Sequence, residues 1–312
     1  MTLLIQLALL VVGFVLLVKG ADWFVEGAAG IADKLGVPQL VIGLTIVAMG
    51  TSLPEAAVSL SSALKGSAEI AVGNVLGSNI MNILLILGIT SLITPLAIKA
   101  STIKYEIPFV IVISILFSVL GLSDGAIKRF DGVILWVFFL LYLGYLLYMT
   151  KHGEDMIEEA EINKNAYMRR LVMLVIVGAG LIVYGSNLTV DAASEIAYLF
   201  GMSKRWVGLT IVAFGTSLPE LATCVTAALK KNADLAIGNI VGSNIFNILF
   251  VIGTSALITP VAYQADFLLD SILAVGVVVL LWLLVINKDR HLKRWGGAIM
   301  LAAYIGYFIY LL

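Results

Sequence analysis

The chain has 312 residues, 61% of them hydrophobic and 12% charged, with a formal net charge of −1. Soluble domains carry about 25% charged residues; this composition, with a mean hydropathy of +1.07, describes a polytopic membrane protein with no basic surface for nucleic acid. The single cysteine, Cys224, excludes internal disulfides and cysteine-based metal clusters, and His152 and His291, both in polar connecting segments, leave no histidine for chemistry at membrane depth.

A spanning helix needs about 20 apolar residues. The apolar N-terminus, Met1 to Val18, lacks a basic leading region and a small-residue cleavage site, so it reads as a spanning helix that is kept. Helices are predicted at 2–21, 38–64, 68–94, 104–122 and 131–150. The segment from Thr150 to Asn165 then carries Glu154, Asp155, Glu158, Glu159 and Glu161 without the spacing of a calcium-binding loop, and reads as a solvated linker. Beyond it, helices are predicted at 169–186, 204–229, 233–259, 265–287 and 293–312. Near the end of the first helix, Lys19 and Asp22 are placed to pair with each other, and Trp23 and Trp206 are expected as interfacial anchors.

The chain repeats itself. Gly43 to Glu55, GLTIVAMGTSLPE, returns 165 positions later as Gly208 to Glu220, GLTIVAFGTSLPE, with twelve of thirteen residues identical. The same offset pairs Gly20 with Gly185, Leu92–Pro95 with Leu257–Pro260, Lys128–Arg129 with Lys293–Arg294 and Tyr142 with Tyr307. The predicted organisation is a first repeat over 1–150, a polar cytoplasmic linker over 151–165 and a second repeat over 166–312. Five helices per half force opposite orientations, giving an all-α membrane protein of ten transmembrane helices in two inverted-topology repeats, with any binding site at the midplane between them. With the N-terminus outside, thirteen Lys and Arg fall in inside loops and five in outside loops, which places both termini outside.

A carboxylate at the centre of a spanning helix costs about 2.5–3.5 kcal/mol on insertion scales, and this chain carries one in each copy of the motif, at Glu55 and Glu220. Pro54 and Pro219 lack a backbone N–H and clash with the carbonyl four residues earlier, so Gly-Thr-Ser-Leu-Pro-Glu reads as a helix break exposing carbonyls beside a carboxylate. Such backbone is tolerated at depth where it lines a cavity. A second duplicated stretch, Ala71 to Asn82 and Ala236 to Asn247, sets Asn74, Ser78 and Asn82, and likewise Asn239, Ser243 and Asn247, on one helix face. Gly73 with Gly77 and Gly238 with Gly242 permit close helix approach. Asn79 and Asn244 point off that face and are expected to join helices by hydrogen bonds; Asn74 and Asn239 fit either role. Cys224 stands where the first copy has Ser59 and reads as a small packing residue.

No lysine or arginine lies in these four helix centres, so a bound cation or protons must neutralise the two glutamates. One divalent or two monovalent ions would do so. Ca²⁺ accepts 6–8 oxygens in loose geometry whereas Mg²⁺ demands a tight octahedron, which favours Ca²⁺. Hydroxyls on the flanks offer positions for Na⁺, and competition for the same carboxylates makes exchange the natural mechanism.

Both motif pairs resemble the alpha-repeats of the sodium/calcium exchanger branch of the cation/calcium exchanger superfamily, over essentially the whole chain. The resemblance implies a Ca²⁺ site of the Glu55 and Glu220 carboxylates with the Thr51 and Thr216 carbonyls. It implies Na⁺ ligands at Ser52, Ser217, Ser78 and Ser243 with the Ala48 and Ala213 carbonyls, and Asn82 and Asn247 between these positions. Some members carry aspartate at the position of Asn247, and its absence argues against potassium co-transport. The cation/proton branch has a glutamate where this chain has Gly77 and Gly242, which favours sodium as counter-ion. The expected function is Na⁺/Ca²⁺ antiport by alternating access, electrogenic if three Na⁺ exchange for one Ca²⁺ as the family implies; the alternative is Ca²⁺/H⁺ exchange. A channel fits paired broken helices less well, and an intramembrane enzyme lacks a catalytic constellation. No cofactor is expected, the ions and the bilayer are the partners, and a monomer suffices because one chain holds the whole site.

Overall fold

A computed structural model describes residues 2–65, 69–152, 167–201, 213–264 and 267–311. It is helical almost throughout. Helix α1 runs over Thr2–Leu35, α2 over Gln39–Thr51, α3 over Leu53–Leu64, α4 over 69–93, α5 over Thr102–Asp124 and α6 over Arg129–His152. After the linker, α7 covers Met168–Leu199, α8 Ala213–Thr216, α9 Leu218–Leu229, α10 Ala233–Ile258, α11 Phe267–Val285 and α12 Arg294–Leu311. The chain is a multi-pass membrane protein. Among the described residues seven helices are long and apolar enough to cross a bilayer, or eight if α2 and α3, bent by 52°, count as one broken span. The expected count was ten; the start of one expected span, 204–212, lies outside the described residues, as do Trp206 and most of the linker.

Helices α1 and α7 run well past their predicted ends at 21 and 186. The polar continuation of α1 finds partners: Asp22 with Lys230 at 2.7 Å and Glu26 with Arg170, at the start of α7, at 3.1 Å. Asp22 therefore pairs across the fold rather than with Lys19, because the loop after α9 brings a lysine to it. Both helices end at a glycine in the left-handed region, Gly36 (φ 62°) and Gly201 (φ 83°), where a side chain would be strained.

These two helices pack antiparallel. A Cβ on Gly13 would lie 2.8 Å from the Thr189 backbone nitrogen, one on Gly20 2.7 Å from that of Ile182, and one on Gly27 2.8 Å from the Leu171 carbonyl. Small residues let the backbones touch where lipid provides no hydrophobic drive.

Among the described residues four two-residue strands tie the connecting loops: β1 (Leu96–Ala97) pairs antiparallel with β4 (His291–Leu292), and β2 (Ala126–Ile127) with β3 (Val261–Ala262). A shift of 165 residues carries one pairing onto the other. The same shift relates the Arg129 bond to the Ile258 carbonyl (3.5 Å) and the Arg294 bond to the Ile93 carbonyl (3.3 Å). It also relates the exposed pairs Lys128–Asp124 (2.7 Å) and Lys293–Asp289 (2.5 Å). In these pairs the carboxylate holds Lys128 above its ordinary pKa, and the lysine holds Asp289 below the usual carboxylate range.

The most enclosed helix is α10, with every residue from Leu235 to Leu249 buried. A Cβ on Gly238 would meet the Leu40 carbonyl at 2.8 Å, and one on Gly242 the Ala48 side chain at 2.7 Å. The close approach expected of this glycine pair is thus made to α2. For Gly73 the described residues give only an ordinary 3.6 Å contact with Phe267; the stretch matching α2 on that side falls in 202–212, outside them.

Candidate ion site

Each duplicated motif forms a helix that stops and restarts at its serine. Ser52 has φ −84°, ψ 8° and Ser217 φ −95°, ψ 4°, the bridge region between helix and strand. Pro54 and Pro219 occupy the second position of the helices that follow, where an N–H has no intrahelical acceptor and proline is tolerated. The helix break expected within Gly-Thr-Ser-Leu-Pro-Glu falls at the serine and spans one residue. Both flanking helices persist up to it, since Ser52 N still donates to the Ala48 carbonyl (3.1 Å) and Ala56 N to the Ser52 carbonyl (3.0 Å). Lacking an N–H, Pro54 leaves the Gly50 carbonyl without its helical donor.

This geometry puts Glu55 and Glu220 in the first turns of α3 and α9, where the positive end of the helix dipole favours a carboxylate. Both are 1% exposed. The breaks face each other: Ser52 Oγ donates to Glu220 Oε1 at 2.9 Å, and Ser217 Oγ to Glu55 Oε1 at 3.5 Å. The serine of one motif thus serves the glutamate of the other. Oε2 of each glutamate is buried with no hydrogen-bond partner, and among the described residues neither carboxylate has an ion pair. A buried carboxylate left in this way must be neutralised, by a bound cation or by a proton.

Around the carboxylates the predicted residues fall as follows. Thr51 Oγ1 donates to Asn239 Oδ1 at 3.0 Å and reaches the Ala48 carbonyl at 3.3 Å. That carbonyl also accepts from Ser243 Oγ at 3.4 Å. Asn82 and Asn247, each 1% exposed, keep an unpartnered Oδ1. Ser78 is buried on α4, Thr216 is half-buried at the end of α8, and Ala213 opens α8. Three of the four π-helical stretches in the described residues lie in these helices, at Gly43–Val47, Asn82–Leu87 and Asn247–Ile252, as is common at functional sites. Asn74 makes interhelical bonds, to the Glu55 carbonyl (3.1 Å) and Ser59 Oγ (2.9 Å). Cys224 is buried and accepts from Thr90 Oγ1 at 3.4 Å, as a packing residue should.

The described residues hold no cluster of three or more His, Cys, Asp or Glu. The donor set is instead two carboxylates with hydroxyl, amide and carbonyl oxygens, which suits hard cations. A third buried acid, Glu106, 1% exposed and hydrogen-bonded to Tyr145 at the start of α5, escaped the sequence reading. The available signal was a carboxylate inside a predicted span, 104–122, directly ahead of the apolar run that begins at Ile107.

A family model described as sodium/calcium exchanger protein matches residues 5–148 and 170–312. The chain belongs to the sodium/calcium exchanger family. This family member is 42% identical over 313 residues to the putative antiporter CaxA of Alkalimonas amylolytica, covering 98% of both chains. It is 29% identical to the sodium/calcium exchanger MaX1 of Methanosarcina acetivorans, again over 98% of both. Among solved structures, the sodium-calcium exchanger NCX_Mj soaked with zero Na⁺ and Ca²⁺ superposes with a TM-score of 0.86 at 31% identity, over 99% of this chain and 100% of that one.

Proposed function

We propose that this chain is a cation/Ca²⁺ antiporter that exchanges Na⁺ for Ca²⁺ by alternating access in the cell membrane. The observation that carries the reading is the pair of buried carboxylates, each with one oxygen unpartnered and the other held by the serine of the opposite motif. In this reading Ca²⁺ is held by Glu55 and Glu220 with the carbonyls of Thr51 and Thr216. Sodium takes positions at Ser52, Ser217, Ser78 and Ser243 with the Ala48 and Ala213 carbonyls, and Asn82 and Asn247 lie between.

Two or more Na⁺ displace one Ca²⁺ because both draw on the same two negative charges. A site holding the carboxylates bare would have to desolvate them, so the empty cage is the costly state and crossing is coupled to occupancy. Three Na⁺ per Ca²⁺ would move one net charge per cycle.

Ten spans in two inverted repeats, 1–150 and 166–312 joined by a cytoplasmic linker, form the proposed frame. The reciprocal strand pairings, the paired arginine bonds and the antiparallel seam of α1 with α7 support it. Both termini lie outside, and one chain is sufficient.

Reconstituted vesicles test the assignment. An outward Na⁺ gradient should drive Ca²⁺ uptake, and Glu55→Gln or Glu220→Gln should abolish it while the purified variants remain monodisperse. Uptake driven equally by a pH gradient without sodium would assign proton coupling through the same carboxylates. Downhill Ca²⁺ flux with no counter-ion would mean a channel.

A further inference from the structure

At the contact between α4 and α10 four asparagines form a reciprocal network. Asn79 Nδ2 donates to the Asn244 backbone carbonyl at 3.3 Å, and Asn244 Nδ2 to the Asn79 carbonyl at 3.2 Å. A carbonyl can only accept, so these two bonds decide which end of each amide is nitrogen. The oxygens of Asn79 and Asn244 are thereby turned the other way. There they accept, from Asn247 Nδ2 at 3.2 Å and from Asn82 Nδ2 at 3.0 Å. That in turn fixes the second pair: with their nitrogens engaged, Asn82 and Asn247 are left with Oδ1 buried and unpartnered. All four residues are 5% exposed or less.

We propose that Asn79 and Asn244 are positioning residues for ion exchange: they lock the amides of Asn82 and Asn247 so that oxygen, and not the NH₂ group, faces the cation. An asparagine amide is nearly symmetric in shape, and without this lock either end could point at the ion. The NH₂ end carries partial positive charge and would repel it. The lock crosses between the two motifs, so each half of the chain sets the ligand orientation of the other. A bland reading is that the four amides only fasten α4 to α10.

The two readings part when Asn247 is replaced by aspartate, whose carboxylate presents oxygen whichever way it turns. This inference rests on reading the cage as a cation site. The experiment is calorimetric Ca²⁺ binding to purified full-length protein, with Asn79→Ala measured both in the native background and in Asn247→Asp. The expected result is that Asn79→Ala weakens Ca²⁺ binding about tenfold or more in the native background and leaves it unchanged, or tighter, beside Asn247→Asp. Asn244→Ala with Asn82→Asp should behave alike. An equal loss in both backgrounds, or no loss in either, would overturn the positioning role. Failure of the unmutated protein to bind Ca²⁺ would instead overturn the cage reading and this inference together. Should Asn79→Ala prove unstable, Asn79→Ser in the same two backgrounds gives the same contrast.

Discussion

At the scale of single residues, the decisive atoms are the two unpartnered carboxylate oxygens. Hydrogen bonds to charged groups contribute about 1.5–3 kcal/mol, so the serines that hold the other oxygens matter unequally. The Ser52–Glu220 bond at 2.9 Å is well formed and the Ser217–Glu55 bond at 3.5 Å is stretched. Ser52→Ala should therefore raise the Na⁺ concentration for half-maximal exchange by roughly tenfold or more, and Ser217→Ala by less; equal effects in the flux assay would contradict this ordering. Cation binding should also appear as stability. At about 100 times its Kd, Ca²⁺ should stabilise the native protein by about 2.7 kcal/mol, seen as a rise in melting temperature that Glu55→Gln removes. In the absence of cations the same variant should melt no lower than the native protein, because a buried uncompensated charge has gone. The motif itself was legible from sequence, since the duplication repeats glutamate, serine and proline together. The reach of Ser52 to Glu220 was not, because it depends on how two segments 168 positions apart in sequence are turned toward each other.

Elements are shaped by where glycine and proline fall. The expected break is confined to Ser52, an extent the sequence leaves open because proline's cost depends on position. In mid-helix Pro54 would unravel a turn, but as the second residue of a new helix it only ends the old one. The extended end of α1 was missed for a related reason: Asp22 and Glu26 look like loop when their partners, Lys230 and Arg170, are unknown. The antiparallel seam between these helices gives a sharp contrast on one helix. Gly178 is buried, and a Cβ there would lie 2.7 Å from the Phe24 backbone nitrogen; Gly180, two residues on, is exposed with nothing within 4 Å. Gly178→Ala should destabilise by about 1–3 kcal/mol in thermal unfolding. Gly180→Ala should be neutral or stabilising by up to about 1 kcal/mol, through helix propensity. Comparable losses at both positions would contradict the seam.

For the molecule as a whole, the proposed inverted repeat makes one cage from two copies of a motif, with the loops paired across the halves at each end. The reciprocal β1–β4 and β2–β3 pairings join those loops that alternating spans place on the same side. With Cys224 replaced by alanine, Lys128→Cys should react with an impermeant thiol reagent on intact cells and Lys231→Cys only after permeabilisation; the reverse pattern would invert the assigned orientation. The duplication could be read from the 165-residue offset alone, but hydropathy led to ten expected spans where the described residues show seven or eight. The network of asparagines between α4 and α10 could not be read, since sequence does not say which amide end meets which carbonyl. The central claim is that Na⁺ and Ca²⁺ compete for one pair of carboxylates. Calorimetric Ca²⁺ titration of the purified protein at rising Na⁺ tests it most directly. The account predicts one Ca²⁺ per chain, displaced by Na⁺ with a steeper than first-order dependence and lost in Glu220→Gln; Ca²⁺ binding indifferent to Na⁺, or intact in that variant, would contradict it.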